Sequence, residues 1–185
     1  NVLRGPTSDL YGMNQPGGLV NVVSKRPSFS QTGEVHTTVS TDEGAQVGVD
    51  FTGPLSDTLA YRIVGLAKKS GSEFDGVDSS RLFLAPSLTW TPTDETTLTF
   101  YGQYQKDKVA DNYIQQPEYG TRKTNPGGQY APDLYVGNPD YNDIKTEQNF
   151  IGYEFEHQIN DRLTFNSRAR FSKNDWTNNT EYGGM

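Results

Sequence analysis

Cysteine is absent from the 185 residues, so no disulfide, thiol nucleophile or cysteine-held metal enters the argument. Histidine is nearly absent: His36 and His157 stand far apart, with no metal-ligand spacing and no Ser-His-Asp order around them. No apolar run approaches the roughly 20 residues of a transmembrane helix, and mean hydropathy is -0.75. Lys and Arg number 16 against 23 Asp and Glu, a net charge of -7 with no basic patch, which argues against a nucleic-acid partner. The opening Asn1-Val2-Leu3-Arg4 lacks the charged-then-apolar order of a signal peptide. Taken alone, these absences describe an acidic soluble protein. They leave a transmembrane barrel open, because there only alternate residues face lipid and average hydropathy stays low.

Alternation is what the chain has instead. After Arg26-Pro27 no helical period is visible, and seven alternating stretches follow: 33–41, 46–53, 59–69, 80–91, 98–106, 147–159 and 163–173. Their lengths suit tilted strands of about 9 to 11 residues that cross a bilayer. One face collects Val47, Val49, Phe51, Ile63, Leu82, Leu84, Leu88, Trp90, Phe100, Ile151, Phe155, Phe165 and Phe171; the other carries Asp50, Arg62, Lys68, Gln103, Glu154, Glu156, Arg168 and Arg170. A soluble sandwich would alternate in the same way with the faces reversed. Join lengths favour the barrel. Short joins at 54–57, 92–95 and 160–162 alternate with longer ones at 70–79 and 107–146, as periplasmic turns alternate with extracellular loops. Tyr61, Trp90 and Phe155 then fall near the periplasmic strand ends, where an aromatic girdle is expected.

One hairpin can be registered. Placing Ile159 opposite Leu163 around Asn160-Asp161-Arg162 puts Phe155 opposite Ser167 and Ile151 opposite Phe171, and sets Glu154 opposite Arg168 on the polar face. A cross-strand ion pair between these two is expected, worth up to roughly 1 kcal/mol in a wet lumen. Elsewhere the chemistry is thin. Asp42-Glu43 and Asp94-Glu95 occupy turns, and Pro16-Gly17-Gly18 lacks the Lys-Ser or Lys-Thr of a phosphate loop, so no enzyme is expected.

The most specific run is at the start: Leu3-Arg4-Gly5-Pro6, Leu10-Tyr11-Gly12, then Pro16-Gly17-Gly18-Leu19-Val20-Asn21-Val22-Val23-Ser24-Lys25-Arg26-Pro27. This run resembles the end of the plug domain of TonB-dependent outer-membrane siderophore receptors. Tyr61-Arg62-Ile63-Val64-Gly65-Leu66-Ala67, Leu88-Thr89-Trp90-Thr91-Pro92 and Gly152-Tyr153-Glu154-Phe155-Glu156-His157 are similar to barrel segments of the hydroxamate, ferrichrome-type group, and Glu181-Tyr182-Gly183-Gly184 to one of its outer loops.

The resemblance implies an all-β fold: residues 1–31 as the C-terminal end of a plug and 32–185 as the first seven strands of an antiparallel transmembrane barrel of about 22. It also implies a signal peptide, an energy-coupling box and more plug ahead of Asn1. The cargo would be a ferric siderophore and the protein would hold no cofactor. Its partners would be the TonB-ExbB-ExbD complex and outer-membrane lipid and lipopolysaccharide. Arg4 would seat the plug against barrel glutamates beyond Met185, while Gly5, Pro6, Tyr11, Gly12, Pro16, Gly17 and Gly18 would shape plug turns. Siderophore contacts would come from the tyrosine-rich join 107–146, through Tyr113, Gln115, which stands where the family has a Trp, and Tyr119. Two other readings compete. A passive channel or adhesin barrel would lack the run from Leu3 to Pro27, and a soluble carbohydrate-binding or hydrolytic β-domain would bury Tyr61, Trp90 and Phe155 between sheets.

Overall fold

A computed structural model of the chain describes residues 2–4, 18–20, 24–41, 43–72, 74, 76–110, 117–131, 133–138 and 140–181. Two short strands, β1 (Val2–Arg4) and β2 (Gly18–Val20), pair antiparallel with each other, Arg4 opposite Gly18. The remaining strands form one antiparallel meander in chain order: β3 (Thr32–Val39), β4 (Ala45–Ser56), β5 (Leu59–Ser70), β6 (Ser79–Thr93), β7 (Thr96–Ala110), β8 (Asp143–Asn160) and β9 (Leu163–Asn179). They are the seven stretches read from alternation; β7, β8 and β9 are lengthened mainly at the ends that carry the long connections, β4 mainly toward its short join, and β3 ends two residues earlier than expected. β8 and β9 reach 18 and 17 residues, more than a bilayer requires, so their outer ends project beyond the apolar band.

The sheet is inside out relative to a soluble protein. Register places Val49, Gly65 and Leu84 in one cross-strand row and Trp90, Leu98 and Phe155 in another, all on the face that collects the apolar residues. That face is uncovered: Ile151 is 68% and Phe171 70% exposed, and among the described residues only Ala60 and Val77 are buried hydrophobic side chains. A water-soluble sheet would pack this surface against a second layer. Here the solvent for it is lipid. The opposite face buries polar groups instead, such as Thr89 and Thr99, whose hydroxyls meet at 2.9 Å.

At the end with the short joins, all three hairpins are built alike. Each closes with a two-residue turn, Asp57-Thr58, Asp94-Glu95 or Asp161-Arg162, and each carries one additional residue on the strand entering the turn. Leu55 and Ile159 are such residues, and Thr91-Pro92 together oppose Thr97. The expected register of the last hairpin is therefore found with different turn chemistry. Phe155 opposes Ser167 and Ile151 opposes Phe171, but it is Asn160 that opposes Leu163. A two-residue turn by itself would shift the pairing by one and swap the faces; the bulge at Ile159 restores parity. Side chains lock these corners. The Thr58 N–H donates to Ser56 Oγ at 3.3 Å, the Arg162 N–H to Asn160 Oδ1 at 3.0 Å, and Thr93 Oγ1 bonds Thr96 Oγ1 at 3.1 Å. Adjacent corners are also joined, because the carbonyls of Thr58 and Glu95 accept from the N–H groups of Thr91 and Gln158.

Candidate functional site

Two regions carry chemistry: the polar inner face of the sheet, and the long connection 111–142. On the inner face the stretch ahead of β3 lies against the strands. Asp50 on β4 receives Arg62 Nε at 2.8 Å and Nη2 at 2.7 Å, a two-pronged bond that planar guanidinium and carboxylate groups make well. The two are diagonal neighbours, since Asp50 stands opposite Val64. Lys25 Nζ adds a bond to Asp50 Oδ2 at 2.6 Å, and Arg62 Nη1 donates to the carbonyl of Arg26 at 3.0 Å. One residue pair further, the Ser28 N–H donates to Thr52 Oγ1 at 2.9 Å, and that hydroxyl donates to the Tyr61 carbonyl at 2.7 Å.

Arg26 then spans to the other side of the sheet. Its Nη2 donates to Glu154 Oε1 on β8 at 2.6 Å, and its guanidinium carbon lies 4.9 Å from the centre of the Tyr101 ring on β7. Tyr101 meets Phe150 edge-on at 6.1 Å, and Arg170 covers Phe150 at 4.1 Å. From β4 to β8 is four inter-strand steps of about 4.8 Å, a distance that the adjacent Lys25 and Arg26 bridge with their long side chains. Residues 25 and 26 thus lie across the polar face of the sheet, in contact with β4, β7 and β8. Beyond Glu154 a polar recess of about 270 Å³ opens, lined by Thr97, Thr99, Glu156, Asn166 and Arg168.

The described part of the long connection is folded on itself. The Gly120 N–H donates to the Lys123 carbonyl, and the Tyr130 N–H donates to the Gly120 carbonyl, both at 2.8 Å. Gly120 has φ +94°, and a Cβ there would sit 2.6 Å from the Tyr130 ring. Lys123 stands 5.4 Å over the Tyr119 ring and 3.0 Å from Glu118. Tyr119 itself is 61% exposed. At its end the connection is clamped to the end of β9: Asn142 Nδ2 donates to the Glu181 carbonyl, Asn142 Oδ1 accepts the Glu181 N–H, and Asn138 Nδ2 reaches Glu181 Oε2. Next to this clamp, Lys145 and Asn179 bond Asp143 and hold its carboxyl below the usual carboxylate range. Gly120→Ala is expected to open this loop, since positive φ and the Tyr130 ring together oppose a side chain by about 1 to 3 kcal/mol. Trypsin should then cut after Arg122 or Lys123 about fivefold faster or more in the intact protein, with the barrel's thermal midpoint unmoved; an unchanged cleavage rate would show that Gly120 does not hold the loop.

No family profile matches the chain. Individual relatives do. The ferrichrome outer membrane transporter/phage receptor of Escherichia coli K12 is 35% identical over 98% of this chain and 25% of its own length. The ferrioxamine B receptor of Salmonella typhimurium SL1344 is 32% identical over 98% of this chain and 26% of its own. The chain belongs to the TonB-dependent outer-membrane siderophore receptors. Its fold agrees: the ferric-catecholate import receptor Fiu of E. coli K12 superposes with a TM-score of 0.78 at 22% identity, covering 95% of this chain and 28% of the other. The chain thus spans about a quarter of the length of the curated relatives it matches.

Membership in this receptor family fixes the membrane as the outer membrane and the polar face as the barrel lumen. Of the residues singled out from sequence, Gly5, Pro6, Tyr11, Gly12, Pro16, Gly17, Tyr113 and Gln115 lie outside the described residues. Arg4 and Gly18 are placed by backbone alone, opposite each other in the β1–β2 pair. Tyr119 is on the long connection, as expected, with its ring engaged by Lys123. Glu154 does stand opposite Arg168, but the expected ion pair between them is not formed. Arg26 takes the Glu154 carboxylate, and among the described residues Arg168 has no ion-pair partner. Register supplied an adjacent cation; the chain leading into β3 supplied a closer one. Lys25, Arg26 and Tyr101 were missed as a group, although two cations directly before a sheet whose inner face offers Asp50 and Glu154 were a visible signal.

Proposed function

We propose that this chain is part of a receptor that binds a ferric siderophore outside the cell and imports it, energised by TonB with ExbB and ExbD. The activity is transport, without catalysis or a resident cofactor, and the ferric chelate is cargo. One observation carries the reading: the relatives that match along nearly the whole chain are named as ferrichrome and ferrioxamine B receptors. The inside-out sheet supports the membrane half of it and disfavours a soluble carbohydrate-binding or hydrolytic domain. The plug-like run from Leu3 to Pro27 disfavours a passive channel or adhesin.

A hydroxamate chelate is the cargo we favour, held through Tyr113, Gln115 and Tyr119 on the outer connection. Exposed aromatic surface suits a bulky, nearly neutral chelate. Arg4 is proposed to seat the plug, with Gly5, Pro6, Tyr11, Gly12, Pro16, Gly17 and Gly18 shaping its turns. Lipopolysaccharide is the proposed neighbour of the outer strand ends. There Lys69, Lys108 and Lys145 fall in one outward row, linked in register through Ser80, where lipid phosphates would lie.

The test is growth of an iron-starved strain lacking the receptor, complemented with the full gene and fed single ferric siderophores. Growth on a hydroxamate chelate is expected, with Tyr119→Ala weakening binding roughly three- to tenfold, the value of one aromatic contact of about 1 kcal/mol. Failure to grow on any ferric chelate, with the receptor present in the outer membrane, would overturn the assignment.

A further inference from the structure

Parity puts Trp176 on the inner face of the sheet. Along β9 it lies an even number of residues from Arg168 and Arg170 and an odd number from the outward Phe171; its register partner Thr146 stands beside Asp107, itself opposite Arg81. Its level is extracellular. The outward positions around it, Lys145, Glu147, Lys173 and Asp175, are all charged, so the strands have already left the apolar band there. Lipid therefore covers Trp176 neither by its face nor by its height. Yet the residue is 67% exposed, a large apolar surface turned to water in the mouth of the lumen. A further strand beside β9 would add a neighbour and could not turn the ring outward, because the β8–β9 ladder sets its facing.

The inner positions around Trp176 differ in kind from those outer ones. Thr146 is opposite it, Gln148 and Asn174 form the next inner row toward the periplasm, and Ile144 and Asn178 the next row outward; none carries a charge. Deeper on the same two strands the inner face becomes charged, with Glu154, Glu156, Arg168 and Arg170. On the adjoining β7, Asp107 is taken up by Arg81 at 2.6 Å and by Gln105 at 2.7 Å. An indole plane beside amides and a hydroxyl suits an uncharged polar ligand, since the ring supplies area and the amides donate to oxygen atoms. An anion there would lose water with no cation to replace it.

We propose that Trp176 is a ligand-binding residue: its ring, with the amides of Gln148 and Asn174 and the hydroxyl of Thr146, forms a wall of the extracellular mouth on which a ferric chelate free of net negative charge rests. This rests on the transport reading above and narrows it. A trihydroxamate, whose oxyanions cancel the charge of iron(III), fits this wall; a tris-catecholate, which keeps a net negative charge, is disfavoured. Because the wall is built on paired strands, its geometry is set by the β8–β9 ladder and not by the outer connection.

The experiment measures equilibrium binding of three radio-iron chelates to the purified full receptor: ferrichrome and ferrioxamine B, which the relatives' names carry, and a ferric tris-catecholate. Trp176→Ala is expected to weaken both hydroxamate chelates about fivefold or more, with the thermal midpoint unmoved because an exposed ring contributes little packing. Trp176→Tyr keeps an aromatic face and should stay within about twofold of wild type. Asn174→Lys places a cation in the wall and should improve the tris-catecholate about fivefold or more relative to ferrichrome. Quenching of tryptophan emission by the coloured chelate adds a readout that packing alone would not move: its amplitude should fall in Trp176→Tyr although the chelate still binds. Hydroxamate affinity in Trp176→Ala within about twofold of wild type would overturn the proposal. A loss that Trp176→Tyr does not recover would make the ring a packing element, and a wild-type preference for the tris-catecholate would remove the charge argument; either overturns it too. A wild type that binds none of the three chelates defeats the transport reading itself, whereas one that binds them with Trp176 indifferent defeats this proposal alone.

Discussion

Gly152→Val in the full receptor is expected to prevent normal barrel assembly. A Cβ at Gly152 would lie 2.8 Å from the Ala169 carbonyl oxygen on β9 and 2.8 Å from Tyr101 Cζ on β7. The two obstacles differ in kind. Tyr101 could swing aside, but only by leaving its edge contact with Phe150 and its place beneath Arg26. The carbonyl belongs to the β8–β9 ladder and can yield only if the pairing of Gly152 with Arg170 widens. Valine adds two further methyl groups to a site that has no room for the first carbon. The cost should reach about 3 kcal/mol, the upper end of ordinary overpacking, with Gly152→Ala nearer 1 kcal/mol. Outer-membrane fractions should show Gly152→Val receptor mostly in the unassembled, heat-insensitive form on a gel, and Gly152→Ala assembled but with a lowered thermal midpoint. Wild-type assembly of the valine variant with an unshifted midpoint would mean that β7 to β9 tolerate more local spreading than their spacing suggests.

The residues around this glycine also mark how far sequence reading reaches. Strand number, chain-order topology and the lipid face follow from a period of two and from join lengths, because parity propagates unbroken through each ladder: Trp90, Leu98 and Phe155 share a row as alternation implies. The bulges were not legible. Ile159 looks like any apolar strand residue, and its extra step is revealed only by the partner it lacks in the ladder. That Lys25 and Arg26 stand directly before a sheet with inward carboxylates was legible; that Arg26 would take Glu154 was not, for another reason. Whether a carboxylate takes the cation opposite it or one far away in sequence depends on where the chain leading into β3 crosses the sheet, and that path has no local signature. Asp50 and Arg62 lie between these cases: their polar-face positions are evident from alternation, but the diagonal bond needs the β4–β5 register.

That diagonal pair is where electrostatics should weigh most. In Asp50→Leu, Arg62 loses both of its carboxylate bonds and Lys25 loses its partner. The side chains of Arg62 and Asp50 are only 16% and 11% exposed, so water replaces little of what is lost. Lys25, at 60% exposed, is rehydrated at small cost. Removing one member of a buried pair typically costs about 3 to 5 kcal/mol, and the low end applies here because the lumen face is polar. Removing both members behaves differently: Asp50→Leu with Arg62→Met leaves no buried charge and should recover more than half of the loss in thermal stability, although the Arg26 carbonyl then gives up its donor from Arg62. A double-mutant cycle on the assembled receptor should return a coupling of about 1.5 kcal/mol or more between the two sites. Coupling near zero would indicate that Lys25 alone satisfies Asp50, and that the Asp50–Arg62 contact contributes geometry without holding the linker. A large coupling together with a leaking plug in Asp50→Leu would instead tie the stability of the inner face to the seating of the segment that crosses it, since the same carboxylate serves both.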